Sequence, residues 1–205
     1  IAVDTTDFFS EHLLVCEETE QGLIPILGNK SVPLGRCDFH HVPFPGLSCL
    51  EEANAYEQIK AMRLIIERVR AWNVDLRYAG SWTMDSKERG NKEWSAILRD
   101  LFTALYVSYY ESIPRCEVIT GGTCRFKVDN YVKWLGHEPL RLDDRDLDPI
   151  SVFHLAGEKV LWTHLREFSK ESRDVAKLYS HLWTNHVRIK GTQRKAESSP
   201  VIKAA

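Results

Sequence analysis

The sequence predicts an α+β fold: a small antiparallel sheet, made of N-terminal strands and a hairpin over residues 116–128, packed against three long helices. Three observations lead there. Short apolar and β-branched runs, punctuated by Gly and Pro, fill residues 11–45. Apolar residues recur at helical spacing over 48–72, 91–114 and 158–189. The order strands, helix, helix, hairpin, helix does not repeat a βαβ unit, which favours α+β over a doubly wound sheet.

The elements follow in chain order. His12 to Cys16 and Leu23 to Leu27 read as strands, and Pro25 makes the second an edge strand or an extended loop. Ser48 and Glu51 have capping-box spacing and open a helix running to Trp72, with Ala55, Ile59, Met62, Ile66 and Val69 on one face. Val74 to Tyr78 reads as a strand, and Gly80 to Gly90 as a polar loop holding Trp82. Asn91 caps a second helix ending near Pro114, with a broad stripe through Trp94, Leu98, Leu101, Phe102 and Leu105. Cys116–Thr120 and Thr123–Val128 flank Gly121-Gly122, a hairpin signal. Leu140 to Leu142 adds a short strand. Asp148-Pro149 opens a helix interrupted at Gly157, and Glu158 to Ile189 is expected to be the third long helix.

Composition narrows the class without naming a function. Of 205 residues 43% are apolar and 27% charged, which excludes collagen-like, disordered and wholly basic chains. The longest apolar run, Leu101 to Tyr110, is about half of the ~20 residues a membrane-spanning helix needs. One domain over 1–190 is expected, followed by a flexible basic tail over 191–205. The chain begins at Ile1, not Met, so a processed N-terminus is expected, in keeping with secretion or organelle import. The net charge of −2 is uneven. Residues 158–205 hold ten Lys+Arg against five Asp+Glu, a net of +5, and residues 1–157 carry −7.

Five cysteines, Cys16, Cys37, Cys49, Cys116 and Cys124, show no C-x-x-C spacing. Cys49 is the sharpest candidate nucleophile. A capping box at Ser48 would put it in the first helical turn, where dipole and free amides lower a thiol pKa. Papain-like cysteine hydrolases place a Cys at such a helix start with a His arriving later. Here His137, after Gly136, follows, and Asp143 (or Asp144) could orient its ring, making the order Cys, His, Asp. No Gln or Asn precedes Cys49 closely enough to supply an oxyanion donor, and a small buried apolar role suits it equally.

The acidic group Asp143, Asp144, Asp146 and Asp148, with His154 beyond, lacks calcium-loop spacing and is interleaved with Arg141 and Arg145, so it reads as a solvated turn. His40-His41 point to opposite faces, and His181 and His186 are five apart where a helical metal pair needs four. No metal and no cofactor is expected. Arg188, Lys190, Arg194 and Lys195 gather where the last helix meets the tail, and Trp82 and Trp183 lie in a loop and on a helix flank. These features favour a non-catalytic interaction or assembly protein, either an accessory subunit or a secreted partner-binding protein. The cysteine hydrolase ranks second. A binder of phosphates or acidic surfaces through the C-terminal arm ranks third, with nucleic acid or acidic lipid the lesser partners.

Overall fold

The structure, a computed structural model, describes residues 4–90, 92–152 and 157–189. A 3-10 turn over Thr5–Phe8 leads into the hairpin β1 (Glu11–Thr19) and β2 (Gly22–Pro33). Helices α1 (Leu34–His40), α2 (Pro45–Glu52) and α3 (Tyr56–Ala71) precede β3 (Asp75–Met84). Then come α4 (Lys92–Glu111), β4 (Cys116–Thr123) and α5 (Val128–Leu135). Four short strands follow, β5 (Glu138–Pro139), β6 (Arg141–Leu142), β7 (Arg145–Asp146) and β8 (Ile150–Val152). The chain continues through β9 (Glu158–Leu165), α6 (Lys170–Leu178) and α7 (Ser180–Thr184).

The mixed α/β class is as expected, but the sheet is larger. Seven strands join in the order β1-β2-β3-β4-β9-β5, with β8 also on β9. Every pairing in it is antiparallel except β3 with β4. Alternating side chains divide the core between its faces. Leu76, Ile119 and Trp162 face Leu50, Met62, Ile66 and Val69 of the α2–α3 side. Ala79, Val118 and Leu165 face Phe102, Tyr106 and Val107 of α4, with Leu135 and Ala176.

Four expected elements take another form. The helix over 48–72 is two helices, because Asn54 turns left-handed at φ 53° between α2 and α3. Residues 116–128 are not a hairpin: β4 runs straight through Gly121-Gly122 and pairs with β9, and the chain then turns into α5. The third long helix is lost, since Glu158–Leu165 is a strand between β4 and the β5/β8 edge, and only α6 and α7 are helical. Its Val-Leu-Trp-Thr-His-Leu run is buried on both faces, and such a run carries no period that separates strand from helix. Asp148-Pro149 introduces β8 because residues 150–152 find a partner in Glu158–Val160. Pro25 fits as expected: it pairs only towards β1, opposite Cys16, and β3 first reaches β2 at Leu27.

Among the described residues no helix is long and apolar enough to cross a membrane.

Candidate functional site

The one parallel pair in the sheet comes apart at its carboxyl end. β3 and β4 pair from Asp75↔Cys116 to Ala79↔Thr120 and no further. Beyond that, β3 continues on β2 to Leu27↔Met84, while β4 continues on β9 to Thr123↔Val160. The cause is local. Ser81 adopts a left-handed φ of 55°, and the β2–β3 register shifts between Gly28 and Lys30. Asn29 sits at that shift, and its Nδ2 donates to the Gly80 carbonyl at 2.9 Å. An extra residue on one strand bends it and sharpens its twist, so β3 follows β2 away from β4. A crevice at the carboxyl ends of parallel strands, between backbone edges that no longer pair with each other, is where open α/β sheets take ligands.

Glycines shape its walls. A Cβ at Gly80 would lie 2.4–2.7 Å from the ring and hydroxyl of Tyr78, so that ring lies flat along β3. A Cβ at Gly122 would fall 2.7 Å from the backbone of Asp129, which shows how closely the first turn of α5 covers the end of β4. On one face Tyr78 stacks against Trp162 (6.3 Å, 29°) and meets the edge of Phe44. On the other, Trp82 packs against Phe102, Tyr106 and Tyr131 at 4.8, 5.3 and 5.8 Å. Burial raises the Tyr78 phenol far above its ordinary value, with the neighbouring Cys49 and Asp4 adding to the shift. Burial, then Glu52, raises the Cys49 thiol as well. Around Tyr78 and Trp162 the first face is therefore aromatic, with neutral phenol and thiol groups.

The crevice also gathers unsatisfied polar atoms. Asn29 Oδ1, Trp82 Nε1, Asp129 Oδ1 and Trp162 Nε1 are buried without a hydrogen-bond partner. Each belongs to a residue at the parting: Asn29 and Trp82 at the bulge, Trp162 opposite Gly121, and Asp129 against Gly122. The other two such atoms among the described residues, on Ser31 and Tyr110, face one another and lie outside it. Folded chains satisfy nearly all buried polar groups, with protein or ordered water, so four such atoms on strands and a helix beside the parting, on both faces of the sheet, single it out as the candidate site. A wider cleft of about 1120 Å³ opens at the opposite end of the sheet. Its charges are largely matched internally, Arg70 with Asp38 at 2.6 Å and Arg77 with Asp75 at 3.0 Å.

The residues singled out from sequence are dispersed. Ser48 does not cap a helix; α2 begins at Pro45, and the Ser48 hydroxyl donates back to the Phe44 carbonyl at 3.3 Å. Cys49 thus lies beyond the first turn, half-buried against the α2–α3 core. His137 is on the other face of the sheet, within hydrogen-bonding reach of Tyr106 Oη (3.3 Å) and Thr163 Oγ1 (3.2 Å). Burial, then the charge of His164, pushes its imidazole down to about 3, so it is neutral and enclosed. Asp143 and Asp144 form the two left-handed positions (φ 50° and 61°) of the β6–β7 turn, with Arg141 on Asp146 at 3.1 Å. Asp148 accepts at its backbone carbonyl from Gln58. The Cys49–His137–Asp143 arrangement is not assembled.

Trp82 is on strand β3, inside an aromatic cluster instead of a loop. Trp183 stacks on His186 at 4.3 Å and edges Tyr109. Arg188 donates to His186 at 3.1 Å. Lys190, Arg194, Lys195, His154 and the tail over 191–205 lie outside the described residues. Sequence reasoning missed Tyr78, Asn29, Asp129 and the role of Trp162. The available signal was Gly80 and Gly121-Gly122, two glycine breaks in runs otherwise fit for strands, which were read as a loop and a turn.

No protein-family model matches the sequence, and no curated protein is similar to it. Two solved structures are similar to this chain. Both are of BjaI, a CoA-dependent acyl-homoserine lactone synthase, one with SAM and isopentyl-CoA and one with MTA. Each is 13% identical, covers 86% of this chain and 67% of its own, with a TM-score of 0.47. BjaI is named as a synthase, which runs against the expectation of a non-catalytic interaction or assembly protein, and that expectation is not carried further. Of its alternatives, the hydrolase arrangement is not assembled, and the C-terminal arm over 191–205 lies outside the described residues.

Proposed function

We propose that this chain is a group-transfer enzyme that takes an acyl group from an extended, amide-bearing donor lying in the crevice between β3 and β4. The supporting observation is the set of four unsatisfied atoms around the parting. Two are indole N–H donors, on Trp82 and Trp162, and two are oxygen acceptors, on Asn29 and Asp129. The group that complements both kinds is an amide, which offers C=O and N–H together. The parted strand edges ask for the same chemistry, as an extended chain of amides can lie along either of them.

Acyl transfer suits the remaining features. Attack on a carbonyl creates an oxyanion, and fixed N–H donors in a site shielded from water stabilise such a charge. Trp162 Nε1 and the backbone amides beside Gly121 are donors of that kind. Cys49 and Tyr78 are held neutral nearby, so the reading uses direct transfer to an acceptor and no thiol intermediate.

The test uses acetyl-CoA and longer acyl-CoA esters as probes, by calorimetry and by release of free thiol in the presence of amine acceptors. Wild-type protein should bind at least one ester. Trp162→Phe keeps an aromatic ring, though a smaller one, and removes the N–H; it should weaken that binding about tenfold, the size of one hydrogen bond to a buried donor. If no ester binds, or if both proteins bind equally, the reading fails.

A further inference from the structure

Lys30 lies on β2, and its side chain is only 6% exposed. Its ammonium donates to Asp4 Oδ2 at 2.7 Å, Asp7 Oδ1 at 2.9 Å and Thr6 Oγ1 at 3.0 Å. All three partners come from the N-terminal turn and none from the sheet that carries the lysine. A buried ammonium needs a counter-charge. Here that charge is supplied by a surface segment whose carboxylates turn in to the ammonium, with Asp4 62% and Asp7 23% exposed.

The position is as informative as the pairing. Lys30 pairs with Gly80, the first residue of β3 beyond its last contact with β4. Directly opposed residues share a face of the sheet. Lys30 is therefore on the face where the Tyr78 ring lies over Gly80, and the charge of Asp4 reaches the Tyr78 hydroxyl. One strand spacing, about 4.8 Å, separates the lysine's backbone from the strand that borders the crevice.

We propose that Lys30 is a binding site for an anionic group, a carboxylate or phosphate, of a ligand lying over the Tyr78–Trp162 face of the crevice, and that Asp4 and Asp7 occupy it as internal stand-ins. The turn over Thr5–Phe8 is then a strap that such a ligand displaces. The relation to the crevice rests on the acyl-transfer reading above. The anion site itself does not, and its test needs no acyl donor.

Sodium phosphate and sodium acetate are titrated at constant ionic strength into wild-type protein, the D4N/D7N variant and the D4N/D7N/K30M variant. Removing both carboxylate charges should tighten binding of one anion about tenfold or more, since a charge-assisted site is vacated. Adding Lys30→Met should abolish the gain, and the preferred anion identifies the ligand group. No gain in D4N/D7N, or a gain that survives Lys30→Met, overturns the proposal. Because the double variant could fail to fold, hydrogen exchange of residues 5–9 is also followed in wild-type protein. Phosphate should speed it relative to sodium chloride at equal ionic strength, and unchanged exchange counts against the strap.

Discussion

Burial holds the His137 imidazole down at about 3, against 6.5 in an unfolded chain, and this makes a structural residue visible in solution. Between those two values the unfolded chain binds a proton that the native protein refuses. Stability therefore rises with pH across that window: it is complete above 6.5 and lost as pH falls towards 3, by about 1.4 kcal/mol per pH unit. Glu117 acts in an adjoining window. Burial raises its carboxyl, but hydrogen bonds from His164 (2.6 Å) and from Arg68 more than reverse this and bring it to about 2. Its contribution is present above 4.5 and lost as pH drops towards 2. Urea unfolding of His137→Gln between pH 4.5 and 6.5 should show a shallower pH slope than wild type. An identical slope would mean that His137 takes up its proton in the folded protein. A catalytic histidine would have been more accessible; this one was picked out from sequence because order along the chain says nothing about the side of a sheet.

Among the elements, α5 and β4 depend on each other most closely. The first turn of α5 rests on Gly122 at a distance that excludes any side chain there. Gly122→Ala should cost about 1–3 kcal/mol, the usual range for overpacking, with the loss seen as a lower denaturant midpoint at unchanged m-value. A cost near zero would show that α5 can lift from the sheet. This contact also explains a misreading. Gly-Gly between two strand-like runs signals a hairpin on local grounds, yet here the pair lets α5, the next element of the chain, pack closely on the strand. The Val160–Leu165 stretch failed for a related reason, since full burial removes the alternation that marks a strand. α4 was legible because its stripe is long, and the strands β1 and β2 because turns bound them.

For the whole molecule, the parting of β3 from β4 makes a specific demand on its backbone. Crevice-side amides within 81–84 and 121–123 have no strand partner across the gap. They should exchange hydrogen faster than the amides of 75–79 and 116–120, and slow when an acyl-CoA ester binds. Uniform protection in the free protein would mean that the crevice is closed in solution, and the candidate site would have to be sought elsewhere. The four unsatisfied atoms come from β2, β3, α5 and β9, elements separated by up to 133 positions between Asn29 and Trp162.

By itself the sequence determined a folded α+β chain with strands near its N-terminus, a long amphipathic α4 and an acidic body with a basic end. Those properties follow from periodicity, turn residues and charge, all of which act over a few neighbouring positions. Tertiary structure decided that β4 and β9 lie in the middle of a sheet, that Cys49 and His137 stand on opposite faces, and that one bulge opens one parallel pair. The physical reason is pairing. Which strand edges meet, and where they stop meeting, is set by hydrogen bonds between distant segments, and it is beside the place where they stop that four buried polar atoms are left without a partner.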